Sequence, residues 1–164
     1  MEQLTDREAI AETLARYCRG IDRIDGDLIA SAFHPDAVDE HSYIRLKGSE
    51  VGPYMVERMR TRFKSTLHCL LQSSVEIDGD QAHSETYYVA WLVTEEAGVE
   101  VLDQAAGRYV DRFEKRAGEW RIAFRVVLPE VAIRLQGGRT DLLSYVADRP
   151  LRSREDVSYR RPLT

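Results

Sequence analysis

A phenol and a carboxylate stand close together in the stretch LARYCRGID: Tyr17 and Asp22. Packing an apolar helix face requires neither group. A third polar side chain, His68, opens the run STLHCLLQ. These residue types can move a proton. An imidazole has a reference pKa of about 6.5, so near neutral pH it takes and returns a proton. A positioned acid–base group contributes about 10²–10⁴-fold to a rate. A carboxylate that accepts one ring N–H fixes the tautomer of an imidazole, and a phenol can donate to a developing oxyanion. Each residue also has a purely structural use. Tyr17 suits a core with its hydroxyl at the edge, Asp22 suits a helix or turn cap, and His68 suits a structural hydrogen bond.

The elements that must position these groups can be read from pattern. TDRE forms a capping box, with Thr5 as N-cap and Glu8 three residues on. Ile10, Leu14, Tyr17 and Ile21 then follow at helical spacing. DGDLIASAFHP reads as a short second helix, with Asp25 or Asp27 near its start and Pro35 halting it. PDAVDEHSYIRLKG reads as extended, and GPYMVERMRTRF as a third helix with Pro53 in its first turn. Two hairpins follow. STLHCLLQSSVEID and QAHSETYYVAWLVTEE flank the turn at Asp78-Gly79-Asp80. QAAGRYVDRFEKR and WRIAFRVVLPEVAIRL flank AGE. Both alternating faces of TYYVAWLV are apolar, which places that strand between two layers. Helices first and antiparallel strands afterwards predict an α+β fold, a cone in which helices pack in a curved mixed or antiparallel sheet. A cone of this kind encloses a pocket.

Composition sets the bounds. The 164 residues suit one domain, and 43% hydrophobic with 31% charged residues suit a globular chain. Formal charge is −5, a poor balance for sequence-independent nucleic-acid binding. No apolar run approaches the roughly 20 residues that span a bilayer, and the charged start MEQLTDREAIAE has no signal-peptide core. A cytoplasmic location is therefore expected. Cys18 and Cys69 form neither a disulfide framework nor a zinc pattern and read as buried thiols. The domain is expected to span residues 1–135, with a mostly irregular, Arg-rich tail over 136–164 that would reach a neighbour, close the pocket mouth or stay disordered.

In order and spacing, YCRGID, DGDLIASAFHPDA, STLH, VEIDGDQA and GRYVDRFEKRAGEWRIAFR resemble the SnoaL-like branch of the nuclear transport factor 2-like superfamily. The resemblance covers roughly residues 3 to 135. It implies the cone fold, self-association as a homodimer or homotrimer, and chemistry without cofactor or metal. The branch includes scytalone dehydratase, bile-acid 7α-dehydratase and γ-hexachlorocyclohexane dehydrochlorinase. These abstract a proton from carbon and expel a leaving group. Carried over by position, the resemblance implies His68 as general base, Asp22 as its orienting partner and Tyr17 as hydrogen-bond donor to oxygen. Where the dehydratases place another polar residue in the strand, this sequence reads Ala90 and Trp91.

The expected activity is that of a lyase, dehydratase-like, or an isomerase acting on a small hydrophobic, cyclic or polycyclic hydroxy or keto compound. The alternative is a non-catalytic ligand-binding module or accessory subunit, resembling the small subunit of ring-hydroxylating dioxygenases. One base in an apolar pocket serves dehydration, isomerisation, dehalogenation or cyclisation equally. Candidates for the substrate-binding lining are Tyr43, Tyr54, Met59, Tyr88, Trp91, Phe124 and Arg125, with Met55 and Phe63 beside them. Asp111 is expected to pair with Arg125 on the neighbouring strand, as a structural salt bridge or as a polar wall of the pocket. HPDAVDEH groups His34, Asp36, Asp39, Glu40 and His41 without the spacing of a closed metal site, and reads as a solvated loop.

Overall fold

The computed structural model describes residues 2–41, 43–136 and 150–160. The first helix, α1 (Glu2–Arg23), begins ahead of the Thr5 cap and runs through the expected stripe. Ile10, Leu14, Tyr17 and Ile21 are all buried, so the helical period of the sequence is the period of the core. Ile24, at φ 54°, turns the chain out of α1. Asp25 then caps α2 (Gly26–Ala30) by accepting the backbone N–H of Leu28.

Pro35 does not stop α2, which ends earlier. It lies inside β1 (Phe33–His41), where the pairing register shifts between Phe33 and Val38. β2 (Ile44–Lys47) pairs back on β1. The third helix, α3 (Gly48–Arg62), starts before the predicted position, so Pro53 sits within it rather than in its first turn. Glu50 accepts the N–H of Lys47 at its start.

The hairpins form as read. β3 (Ser65–Asp78) and β4 (Gln81–Glu96) turn at Gly79, and β5 (Val99–Arg116) and β6 (Glu119–Gln136) turn at Ala117-Gly118. Ala97 and Gly98, both at positive φ, join the hairpins into a meander. The strand order is β2-β1-β6-β5-β4-β3. β1 runs parallel to β6 and every other pair is antiparallel, so the sheet is mixed; it is also open. The architecture is thus the α+β cone expected from the sequence. At Gly107 a side chain would meet the Leu128 carbonyl at 2.1 Å, so only glycine permits the close approach beside the irregular pairing there.

One bulge decides what faces the core. Asp111 pairs with Arg125 and Phe113 with Ile122, leaving an extra residue in β6 between them. Ile122 and Arg125 therefore both point inward, and Phe124 points out. Between residues 150 and 160 the chain straps the helices. Arg154 grips Asp25 at 2.6 and 2.9 Å, the Tyr159 hydroxyl donates to Asp25, and Arg152 donates to the carbonyls of Met59 and Phe63. The intervening stretch of the tail lies outside the described residues.

Candidate active site

The last turn of α1 and the first residues of β3 meet through one carboxylate. Asp22 accepts the ring Nδ1–H of His68 at 2.7 Å and the backbone N–H of the same residue at 2.9 Å. It also accepts the hydroxyl of Thr66 at 2.9 Å. Thr66 and His68 are two apart and share a strand face, which is why both reach Asp22. A carboxylate has only acceptors, so the contact sets the tautomer: Nδ1 carries the proton and Nε2 keeps its lone pair. Both side chains are nearly closed to solvent, at 11% for His68 and 7% for Asp22.

His68 borders a cavity of about 140 Å³. Ile21, Met55, Met59, Phe63, Leu92 and Val127 supply apolar walls, and Tyr17, Tyr43, Tyr88 and Tyr109 supply phenols. Arg58 brings a guanidinium from α3. A wider groove of about 610 Å³ opens on the other side of the pair, between α1 and the tail, with Arg19, Arg23 and Asp156 on its rim. The narrower cavity is the better place for chemistry. Tyr17 faces it, and its apolar walls exclude the water that would weaken charge–dipole interactions.

Beneath the cavity lies the buried pair foreseen in the sequence. Arg125 donates twice to Asp111, at 2.7 Å each, and neither residue touches solvent. Burial opposes its charge. The attraction of Asp111 and the two hydrogen bonds outweigh that opposition and hold the guanidinium above its ordinary pKa. It lies 4.4 Å from the Tyr17 ring centroid and 4.3 Å from that of Tyr109. Tyr109 stacks on Tyr88 at 4.4 Å, and Tyr17 meets Tyr109 edge-on. Burial, and then the charge of Asp39, push the Tyr17 phenol well above its usual pKa, so it remains a protonated donor. Burial also pushes the Cys18 thiol up to about 12, which leaves it an inert packing group.

The structure therefore brings Tyr17 and His68 to one cavity and ties Asp22 to His68. Tyr43, Met59 and Tyr88 line that cavity; Tyr54, Trp91, Phe124 and Arg125 do not. In β4 the inward face carries Tyr88, Ala90 and Leu92, so Trp91 falls on the opposite side. Phe124 is displaced by the bulge in β6, and Tyr54 is half-buried at the edge of the core. Arg125 acts from behind the tyrosines rather than in the lining.

The reading of HPDAVDEH as a solvated loop is corrected. That segment belongs to β1, where Asp39 is fully buried and its Oδ2 accepts the His41 Nδ1–H at 2.9 Å. His41 lines the same cavity as His68. The available signal was the period-two run Ala37, Asp39, His41, which puts an acid and an imidazole on one inward face. His34 is spent on the carbonyl of Glu114 at 2.9 Å, Asp36 on Arg116 and Glu40 on Arg45.

No curated protein matches the chain. Among solved structures, a protein of Novosphingobium aromaticivorans DSM 12444 assigned as a scytalone dehydratase superposes with a TM-score of 0.71, at 17% identity over 80% of this chain and 88% of that one. The hexachlorocyclohexane dehydrochlorinase LinA-type3 of Novosphingobium barchaimii LL02 gives 0.74, at 20% identity over 84% and 95%. A point variant of Rv3472 of Mycobacterium tuberculosis, a protein of unknown function, gives 0.66, at 26% identity over 79% and 74%. These likenesses agree with the cone architecture. A sequence profile of the SnoaL-like domain matches residues 2–126, and the chain belongs to that family, within the nuclear transport factor 2-like superfamily.

Proposed function

We propose that this protein is a lyase or isomerase that works by removing a proton from carbon. The observation that carries the reading is the His68–Asp22 contact of 2.7 Å at the wall of an apolar cavity. His68 Nε2 takes the proton. Asp22 stabilises the imidazolium that forms and prevents the ring from turning, because it grips both the ring and the backbone of the same residue. Tyr17 donates to the oxygen on which charge develops, and the Arg125 guanidinium behind its ring strengthens that donation. Two similar structures carry names of elimination enzymes, a scytalone dehydratase and a dehydrochlorinase, which accords with this chemistry.

The cavity volume bears on the substrate. An apolar cavity of about 150 Å³ takes up benzene. A partly open space of about 140 Å³ admits one ring or a compact bicyclic compound. The substrate class is thus a small cyclic hydroxy, keto or halogenated compound, with dehydration the first reaction to seek. A direct test is deuterium exchange into the α-carbons of cyclohexanone in D₂O, followed by NMR. The protein should accelerate exchange and His68→Ala should not. Equal exchange by both proteins sinks the reading.

Self-association belongs to the same proposal. Val131, Ile133 and Leu135 alternate along one face of β6 and are each about half exposed, and Leu67 and Leu71 are similarly bare on β3. Apolar surface of this kind on a sheet face suits a second copy of the chain.

A further inference from the structure

We propose that His41, oriented by Asp39, is the general acid of this site, delivering a proton to the leaving atom while His68 takes one from carbon. The proposal rests on the reading of His68 as base and assigns the other half of the reaction.

The geometry repeats the first pair on another wall. His41 lies on β1 and His68 on β3, and strands β6, β5 and β4 separate them in the sheet order. Both imidazoles nevertheless line the one cavity. Each uses Nδ1 on a carboxylate, at 2.9 Å for Asp39 and 2.7 Å for Asp22. Among the described residues neither Nε2 has a hydrogen-bond partner.

The charges around the two pairs differ. In register, Asp39 of β1 stands beside Arg125 of β6, which stands beside Asp111 of β5. Asp111 takes both donated bonds of Arg125, whereas Asp39 is fully buried with its Oδ1 unpartnered. Two carboxylates against one guanidinium leave this buried cluster one charge negative. Burying that excess is costly, and an imidazolium at His41 neutralises it. Among the described residues, Tyr43 lies 6.4 Å from the His41 ring, Arg58 lies over Tyr43, and Arg58 with Tyr17, Tyr88 and Tyr109 shares the cavity lining; of these only Arg58 opposes a positive ring. Asp22 instead has Thr66 and a backbone N–H as further donors.

For a β-hydroxy carbonyl compound the balance is complete. The C–H proton passes to Nε2 of His68 and the released electron pair forms C=C. The C–O bond breaks, and the departing oxygen takes the proton of His41 Nε2 and leaves as water. His68 is then cationic and His41 neutral, and exchange with solvent restores both.

The test uses two ring-opening eliminations that differ in the leaving phenoxide: 1,2-benzisoxazole and 5-nitrobenzisoxazole. In each, a base removes the C3 proton, the N–O bond breaks and a nitrile forms. The unsubstituted ring, with the more basic phenoxide, needs the acid more. His41→Asn should lower kcat/KM for 1,2-benzisoxazole at least tenfold more than for 5-nitrobenzisoxazole, whereas His68→Ala should lower both alike. Equal losses in His41→Asn, or none, overturn His41 as acid and leave the base standing. Rates that survive His68→Ala overturn the base and the acid together.

Discussion

Asp22 holds His68 at two points, accepting its ring Nδ1–H at 2.7 Å and its backbone N–H at 2.9 Å. The helix and the strand are thereby joined at the residue proposed as the base. Replacing the acid by its amide preserves shape while offering an N–H₂ where the site supplies only donors. Asp22→Asn should remain folded and lose about 10²–10⁴-fold in kcat/KM for elimination from 5-nitrobenzisoxazole. Long-range ¹H–¹⁵N spectra should show the His68 tautomer no longer fixed. A variant with unchanged rate and tautomer would remove Asp22 from the mechanism.

The Arg125–Asp111 pair is a matter of stability as much as of polarity. Removing one partner of a buried ion pair costs about 3–5 kcal/mol, because it strands the other charge. Arg125→Met should therefore lower Tm by roughly 10 °C in a domain of this size. The double change Arg125→Met with Asp111→Leu should recover part of that loss in thermal unfolding. A double variant less stable than the sum of the singles would contradict this account of the pair.

The docked end of the tail should come away in acid. Ser158 and the backbone N–H of Leu151 hold the Asp156 carboxyl at about 2, and Arg154 with the Tyr159 hydroxyl lowers that of Asp25. Carboxylates with depressed folded-state values stabilise the docked form fully above their ordinary value of about 4. That contribution is lost as pH falls from there through about 2. Amide exchange between Leu151 and Arg160 should stay slow down to pH ~4 and speed up below it. Release already near neutral pH, or protection persisting below pH ~2, would show that these carboxylates do not hold the strap.

Ile133 stands in the middle of the bare face of β6, with Val131 and Leu135 on either side. Sedimentation should show a homodimer or homotrimer, and Ile133→Glu should shift it towards monomer with the fold intact. An unaltered chain that sediments as a monomer would contradict self-association through this face.

The legible parts of the chain are those governed by local period. The stripe from Ile10 to Ile21 and the turn at Gly79 follow from spacing along one element or across one hairpin. The obscure parts depend on distant chain. β1 is short, its parallel partner β6 lies near the other end of the domain, and no turn links the two, so Asp39 and His41 read as solvated. The bulge in β6 shifts parity by one residue, which moves Phe124 outward and Arg125 inward against simple alternation. Trp91 is suggested by its size alone, although strand parity with Tyr88 already places it on the other face.

The central claim is that His68 is a base acting on carbon, and the rate of ring opening of 5-nitrobenzisoxazole measures it most directly. The unaltered protein should exceed His68→Ala by about 10²–10⁴-fold in kcat/KM, with both equally folded by circular dichroism. Rates within twofold of one another would contradict it.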